Sequence, residues 1–391
     1  MTSRLHTRFF LLLLLLVTIL VLGFAVSSSF ANSAKRDDGP QTVVGVELLG
    51  VVTFDTGYMF EDTEVGGLSG ITFDSAREVY YALSDDRSGI NLARYYSVDI
   101  DVSDGTLDDG DVTFLAVTTL RDKNAKPFAP GSVDPEAIEM TRAGHLYISS
   151  EGDANSDPVI DPFVNRFNPA GKENRALPVP DKFLPDGEET VGIRDNLAFE
   201  SLTSAPDMWY LYTATENALV QDGPASSAAD SSPSRLLEYS LKRHRPGREF
   251  VYIVDSIPVP PVPPDAFADN GLVDLQAIDN SGTFLAMERS FAVGIGNTVK
   301  IFETSIDGAT DVSDIFALDP DGGPPVVYDP MTKTLVVDIA SLGLSPDNLE
   351  AMAFGPMLPD GRMLLILASD NNFNPGQITQ FIALAVELGP A

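Results

Sequence analysis

From residue 43 onward, short runs of β-branched and aromatic residues alternate with turns rich in Gly, Asp, Asn and Pro. Runs at 79–83, 145–149, 209–213, 283–287 and 363–368 each follow a turn containing Gly or Asp. Short apolar runs bounded in this way predict strands. Before each run lies a second apolar segment that opens on polar residues. These segments are Gly67-Leu68-Ser69-Gly70-Ile71, Asp134-Pro135-Glu136-Ala137-Ile138, Ala198-Phe199-Glu200-Ser201-Leu202, Asp274-Leu275-Gln276-Ala277-Ile278 and Asn348-Leu349-Glu350-Ala351-Met352. Further strands are predicted at 93–100, 165–168, 235–241, 298–304 and 380–386.

The repeat has a period. The third positions of the five segments, Ser69, Glu136, Glu200, Gln276 and Glu350, recur at nearly even intervals along the chain. The stretch from Glu350 to Ala391 and the stretch from Val43 to Ser69 together make up one more such interval. Chain ends that complete one repeat between them are what a closed ring requires, because closure hides the edge strands. The expected fold is therefore an all-β propeller over residues 43–391. It has five motif-bearing repeats in five or six blades and is closed by an N-terminal strand at 43–54. The insert at 221–234, rich in Ser, Ala, Gly and Asp, reads as a mobile loop. The one at 257–264, with five prolines, reads as extended polyproline. The acidic run at 99–111 begins like a calcium-binding helix–loop–helix. It has Asp104 where that loop needs Gly and Gly110 where it needs Glu, so a strand-connecting turn is expected.

The N-terminal segment, 1–31, changes the setting. Arg4 and Arg8 precede a nearly unbroken apolar stretch from Phe9 to Val26, and Ser29-Phe30-Ala31 fits a small-x-small cleavage site. A cleaved export signal over 1–31 and a flexible segment over 32–42 are expected. An uncleaved anchor is the alternative, since about 18 apolar residues can span a bilayer. The mature protein is expected to be secreted or periplasmic, monomeric and free of the membrane. With no cysteine in the chain, its stability must come from burial instead of disulfides, and thiolate chemistry is excluded. The chain carries 25 basic and 57 acidic residues, a net charge of −32, which becomes −34 once Arg4 and Arg8 leave. Such a surface repels nucleic acid and suits hard cations, which take carboxylate oxygens. Three histidines, one of them in the signal, are too few for a histidine-rich zinc site.

The repeated acids are the candidate chemistry. In a ring, equivalent positions converge, so Glu136, Glu200 and Glu350 should approach one another, with Ser69 and Gln276 completing the layer. Each second strand also ends on acid: Ser84-Asp85-Asp86-Arg87, Ser150-Glu151-Gly152-Asp153, Thr215-Glu216-Asn217, Glu288-Arg289-Ser290 and Ser369-Asp370-Asn371-Asn372. Crowded carboxylates raise one another's pKa, and a divalent cation removes the conflict. Glu136, Glu151, Glu200, Glu216, Glu288, Glu350 and Asp370 are thus candidate ligands for Ca2+. The opposing view is that each acid accepts hydrogen bonds from backbone N–H groups. Arg289 is a candidate catalytic residue beside Glu136, Glu200 and Glu350, and Asp85, Arg87 and Arg194 are candidates for binding an anionic substrate. Ordinary ion pairing is the alternative for each Arg. Ser69 sits in a segment resembling a nucleophile elbow, but Ile71 stands where that motif needs Gly.

These motifs, taken in order, resemble the Phytase-like family, described by an esterase-like activity. The carriers also include Ala214-Thr215-Glu216-Asn217-Ala218-Leu219, Glu288-Arg289-Ser290-Phe291 and Ser369-Asp370-Asn371-Asn372-Phe373. The family is similar to the calcium-dependent β-propeller phytases. The resemblance implies a propeller, a small anionic or ester substrate and phosphoester hydrolysis with water activated by carboxylate-bound calcium. Two other readings stay open: a non-enzymatic, calcium-stabilised propeller binding a ligand or protein partner, and a serine esterase using Ser69.

Overall fold

The described part of the chain closes on itself through its first and last strands. The computed structural model describes residues 39–320 and 322–391; the expected signal at 1–31 lies outside them. Strand Gln41–Asp55 pairs antiparallel with strand Ile378–Pro390, from Gln41 opposite Pro390 to Asp55 opposite Ile378. It starts slightly ahead of the expected Val43 and forms the outer edge of a sheet built otherwise from the C-terminal segment.

Among the described residues there are five four-stranded sheets and one two-stranded hairpin. Blade one comprises Leu68–Asp74, Val79–Ser84, Arg94–Ile100 and Val112–Thr119. Blade two comprises Pro135–Met140, Leu146–Ser150, Phe163–Phe167 and Glu173–Ala176. Blade three comprises Thr203–Ser204, Tyr210–Ala214, Ser232–Ser240 and Arg245–Val254. Blade four comprises Ala268–Ala277, Thr283–Ala292, Gly296–Ser305 and Thr332–Asp338. Blade five comprises Leu349–Met357, Met363–Ser369, Ile378–Pro390 and Gln41–Asp55. The first-named strand of each blade is innermost. Leu68–Asp74 packs against Pro135–Met140 and Leu349–Met357, Thr203–Ser204 against Pro135–Met140 and Ala268–Ala277, and Ala268–Ala277 against Leu349–Met357. The ring is thus complete with five blades, and the sixth left open by the sequence is not needed.

Each blade joint is an apolar core. Ile71, Tyr96, Ala353 and Phe381 pack between blades one and five, and Leu83, Tyr95, Ile138 and Ile148 between one and two. Tyr147, Val164, Phe199 and Leu237 fill the joint of two and three, Tyr212, Tyr252, Leu275 and Phe284 that of three and four, and Ile301, Met352, Leu367 and Leu384 that of four and five. Alternate residues of a strand face opposite joints, so both faces of each sheet are buried. A fully buried Leu, Ile or Phe stabilises by about 1.5–3 kcal/mol, so these joints supply the cohesion that disulfides would otherwise give.

Polar side chains stitch the inner strands together. The Met140 N–H donates to Thr72 Oγ1 (3.0 Å), which itself donates to Glu139 Oε2 (3.1 Å). The Ser204 N–H donates to Glu139 Oε1 (3.1 Å) and the Ala277 N–H to Thr203 Oγ1 (3.0 Å). The Met352 N–H donates to Asp274 Oδ2 (2.6 Å) and the Phe354 N–H to Gln276 Oε1 (3.0 Å). Ser69 Oγ donates to the Pro135 carbonyl (3.3 Å). Ser69 and Gln276, expected in the acidic layer, are therefore joints between blades.

The 221–234 insert is not a loose loop. A short 3-10 turn, Val220–Asp222, opens it, Ser226 N–H donates to Asn217 Oδ1 (2.8 Å), and Asp222 holds Arg235 through both oxygens (2.5 and 2.9 Å). Arg235 is fully buried and also reaches Glu249 (3.0 Å), which Lys182 joins at 3.1 Å. The 99–111 run is the expected turn between the last two strands of blade one. The proline-rich 257–264 segment is a series of bends tied by Val262 N–H to the Val293 carbonyl (2.8 Å), not one extended stretch.

Glu139 offers a test of this stitching. Burial pushes its carboxyl from the ordinary 4.5 to about 7, against the hydrogen bonds from Ser204 and Thr72. The folded value exceeds the unfolded one, so the protonated form contributes stability that is fully present below about pH 4.5 and lost as pH rises through about 7. Glu139→Gln removes the titration while keeping an acceptor for Ser204. Melting curves should show the variant gaining on the wild type between pH 5 and pH 8, by no more than about 3 kcal/mol. A gap that does not change with pH would exclude this role.

Candidate active site

Register places the acids better than sequence spacing does. Leu68 pairs with Ser84, Pro135 with Ser150, Phe199 with Thr215, Leu272 with Glu288 and Leu349 with Ser369. The residue after each inner-strand partner falls at an irregularity in blades one, two, four and five. Those residues, in blade order, are Ser69, Glu136, Glu200, Val273 and Glu350. The residue after each second-strand partner is Asp85, Glu151, Glu216, Arg289 and Asp370. Two corrections follow. The blade-four counterpart of Glu136 is the buried Val273, three residues before Gln276. In the second layer, blade four contributes Arg289 where every other blade contributes an acid.

Apart from Ser69 and Val273, these side chains meet in one cavity of roughly 800 Å³ at the ring axis. Asp85, Glu136, Glu151, Glu200, Glu216, Asp269, Asp347, Glu350 and Asp370 line it, and among the described residues only Arg87 and Arg289 oppose their charge there. Nine carboxylates therefore face two guanidiniums. Arg289 is 9% exposed and donates to Glu350 (2.9 Å) and Asp269 (3.1 Å), with Glu216 at 3.6 Å. Its buried Nε has no hydrogen-bond partner among the described residues. Arg87 lies at the mouth, 2.5 Å from Asp134 and bonded to Asn196 (2.8 Å). Asn348 Nδ2 donates to Glu350 (3.0 Å) and approaches Asp370 (3.4 Å), whose other oxygen accepts from the Asn372 N–H (2.6 Å).

The carboxylates are not equally satisfied. Glu151 accepts from the Ala198 N–H, which fits the view that backbone donors hold these acids. Glu136 and Glu200 receive no such bond among the described residues, and after burial it is neighbouring carboxyls that act on them most strongly. One oxygen of Asp85 is buried without a partner among the described residues. Asp134, Glu136 and Glu151 each present an oxygen within 4.8 Å of the others. Burial, reinforced by this mutual repulsion, pushes Asp85, Glu136 and Glu200 well above the carboxylate range. Burial takes Glu151 up to about 7 and Glu216 and Asp370 to about 8. Asp134 rises only to about 6 because Arg87 counters its burial, and Glu350 rises against the pull of Arg289 and Asn348. Burial opposes the charge of Arg289, but Glu350, Asp269 and Glu216 outweigh it and raise its pKa.

Two expected site residues lie elsewhere. Glu288 turns away from the axis to Tyr252 Oη (2.8 Å) and Lys333, because the alternation that aims Arg289 inward aims its neighbour outward. Arg194 donates to the carbonyls of Ala218 (3.1 Å) and Gly223 (2.7 Å) and lines a separate cavity. Sequence reasoning also missed Asp134, Asp269, Asp347 and Asn348 as site residues. Asp134 and Asn348 open the very segments that define the repeat, so position within the repeat could have singled them out. Asp269 and Asp347 carry no such signal.

A closed ring of five blades with an acidic axial cavity is the class that fold and site define. The chain belongs to the Phytase-like family, described as "esterase-like activity of phytase", whose profile matches residues 63–373. No curated protein matches the sequence. Among solved structures, the Dos1 propeller is similar at 8% identity, covering 80% of this chain and 67% of that one with a TM-score of 0.32. A luciferin-regenerating enzyme is similar at 10% identity, covering 83% and 93% with a TM-score of 0.37. The periplasmic gluconolactonase PpgL of Pseudomonas aeruginosa is similar at 12% identity, covering 84% and 89% with a TM-score of 0.33.

Two glycines make room for the acids. At Gly67 the backbone is left-handed (φ 62°), and a Cβ there would overlap Asp85 Oδ1. At Gly271 a Cβ would overlap Glu216 Oε1. Gly271→Ala should therefore destabilise by about 1–3 kcal/mol through overpacking. Adding Glu216→Ala should recover much of that loss, a non-additivity read from melting temperatures of the single and double variants. Additive losses would mean that the two groups do not meet.

Proposed function

We propose that this protein is an exported, calcium-dependent hydrolase of phosphoesters. The observation that carries the reading is the convergence of nine carboxylates from five blades on a cavity with two guanidiniums. The donor set fits calcium: all the clustered ligands are hard oxygens, one Asp85 oxygen is buried without a partner among the described residues, and Glu136 and Glu200 are crowded by other carboxyls. Asp134, Glu136 and Glu151 would hold one ion, with Glu200, Glu350, Glu216 and Asp370 available around it. When bound, calcium supplies neutralising charge and Lewis acidity toward water and phosphate oxygens.

The chain's own residues do the rest. Arg289, braced by Glu350 and Asp269, presents a fixed guanidinium to an anionic oxygen and stabilises charge developing there. Arg87, exposed at the mouth, meets the substrate as it enters and can take a second oxygen. No side-chain nucleophile is called for. Ser69 is bonded to the Pro135 carbonyl outside the cavity lining. His145 precedes the second strand of blade two, and His244 lies in the turn joining the outer strands of blade three. The N-terminal apolar stretch, preceded by Arg4 and Arg8 and followed by Ser29-Phe30-Ala31, supports export.

The purified mature protein, assayed on p-nitrophenyl phosphate and phytate, should turn over at least one of them in calcium and lose that activity in chelator. Arg289→Met should lower kcat by roughly 100-fold or more. Calcium-dependent melting without any chelator-sensitive turnover would replace the hydrolase with the non-enzymatic, ligand-binding propeller.

A further inference from the structure

We propose that the preferred substrate carries an aryl or similarly flat apolar group, held against Phe267 and Phe291, and is not a polyphosphorylated polyol; this rests on the hydrolase reading above. Blade four breaks the acidic pattern twice. It supplies the inward guanidinium, Arg289, and it also supplies the aromatic side chains of the cavity wall. Phe291 follows Arg289 by two positions in strand Thr283–Ala292, so strand alternation puts both on one face. Phe267 precedes Asp269 by two, and Asp269 is the residue that braces Arg289. The two rings lie 6.3 Å apart at 36°, a tilted pair.

Phe267 is 64% exposed, one of only four aromatic residues that are exposed among those described. This exposed phenyl ring stands beside nine carboxylates, and its ring partner among the described residues is Phe291. It leaves an apolar face open to a ligand whose anionic end reaches Arg289. Aromatic surfaces gain by covering one another in offset or tilted arrangements. A polyphosphate, by contrast, needs an array of cations. Among the described residues no lysine lines this cavity, and both of its arginines are already shared with carboxylates. The wall therefore suits one phosphoryl group joined to one apolar substituent.

The test uses two non-hydrolysable probes, phenylphosphonate and methylphosphonate, titrated calorimetrically into the full mature protein in calcium buffer. Phenylphosphonate should bind roughly threefold to tenfold more tightly, as one aromatic contact allows. That ratio should fall toward one in Phe267→Ala, whose exposed position spares the fold, and in Phe291→Ala. Equal affinities in the wild type, no binding of either probe, or a preference that survives both substitutions would overturn the proposal. The hydrolase reading fails separately. A phenyl preference without turnover of any phosphoester removes the reaction and leaves the aryl site. Turnover with equal phosphonate affinities removes the aryl site alone.

Discussion

Antiparallel pairing between the two ends of the domain is the constraint on which everything else depends. Without strand Gln41–Asp55, strand Ile378–Pro390 would be an open edge and blade five would have three strands. With it, a linear repeat becomes a ring, and each blade has a neighbour on both faces. Val52 from the N-terminal strand enters the core shared with blade one, and Val43, Val46 and Val51 pack against the core shared with blade four. A bond between opposite ends of the folded chain is thus what seals both joints of the last blade.

The ring then dictates the electrostatics. Inner strands that pack side by side carry equivalent positions to a common axis, whatever the charge there. Glu136, Glu200 and Glu350 gather because their blades do, and their desolvation is a consequence of the fold. Isolated ionised carboxylates are costly to bury, so folding concentrates unmet oxygen donors where a cation could enter. Away from the axis the chain treats charge differently. Arg235 and Glu288 are each surrounded by partners, and those clusters hold loops and outer strands together.

Much of this was legible in the sequence. All five second strands lie close to where apolar runs and turn residues place them, and the match in spacing across the chain ends points to the closing strand. The outermost strands of blades two and four carry no comparable signal, whereas those of blades one and three, Val112–Thr119 and Arg245–Val254, contain β-branched and aromatic runs that the repeat pattern did not single out. Glu173–Ala176 is largely polar, and Thr332–Asp338 packs on one side only, so their patterns resemble loops. At the site, Glu136, Glu151, Glu200, Glu216, Glu350 and Asp370 converge as their repeat positions imply. Blade four misleads, because the motif Asp274-Leu275-Gln276 resembles the anchors but falls three positions late in register. A strand irregularity of that kind is set by pairing across the blade and leaves no mark on composition. Arg194 shows the same limit: nothing in its neighbours foretells that two backbone carbonyls will claim it.

Arg289 has one more consequence. A perfectly repeating ring would offer a bound anion five indistinguishable poses, and none would be preferred for reaction. One positive residue among four acidic equivalents lifts that degeneracy. The molecule gains a compass bearing about its axis, so that a ligand entering from the open face has a single direction in which to turn.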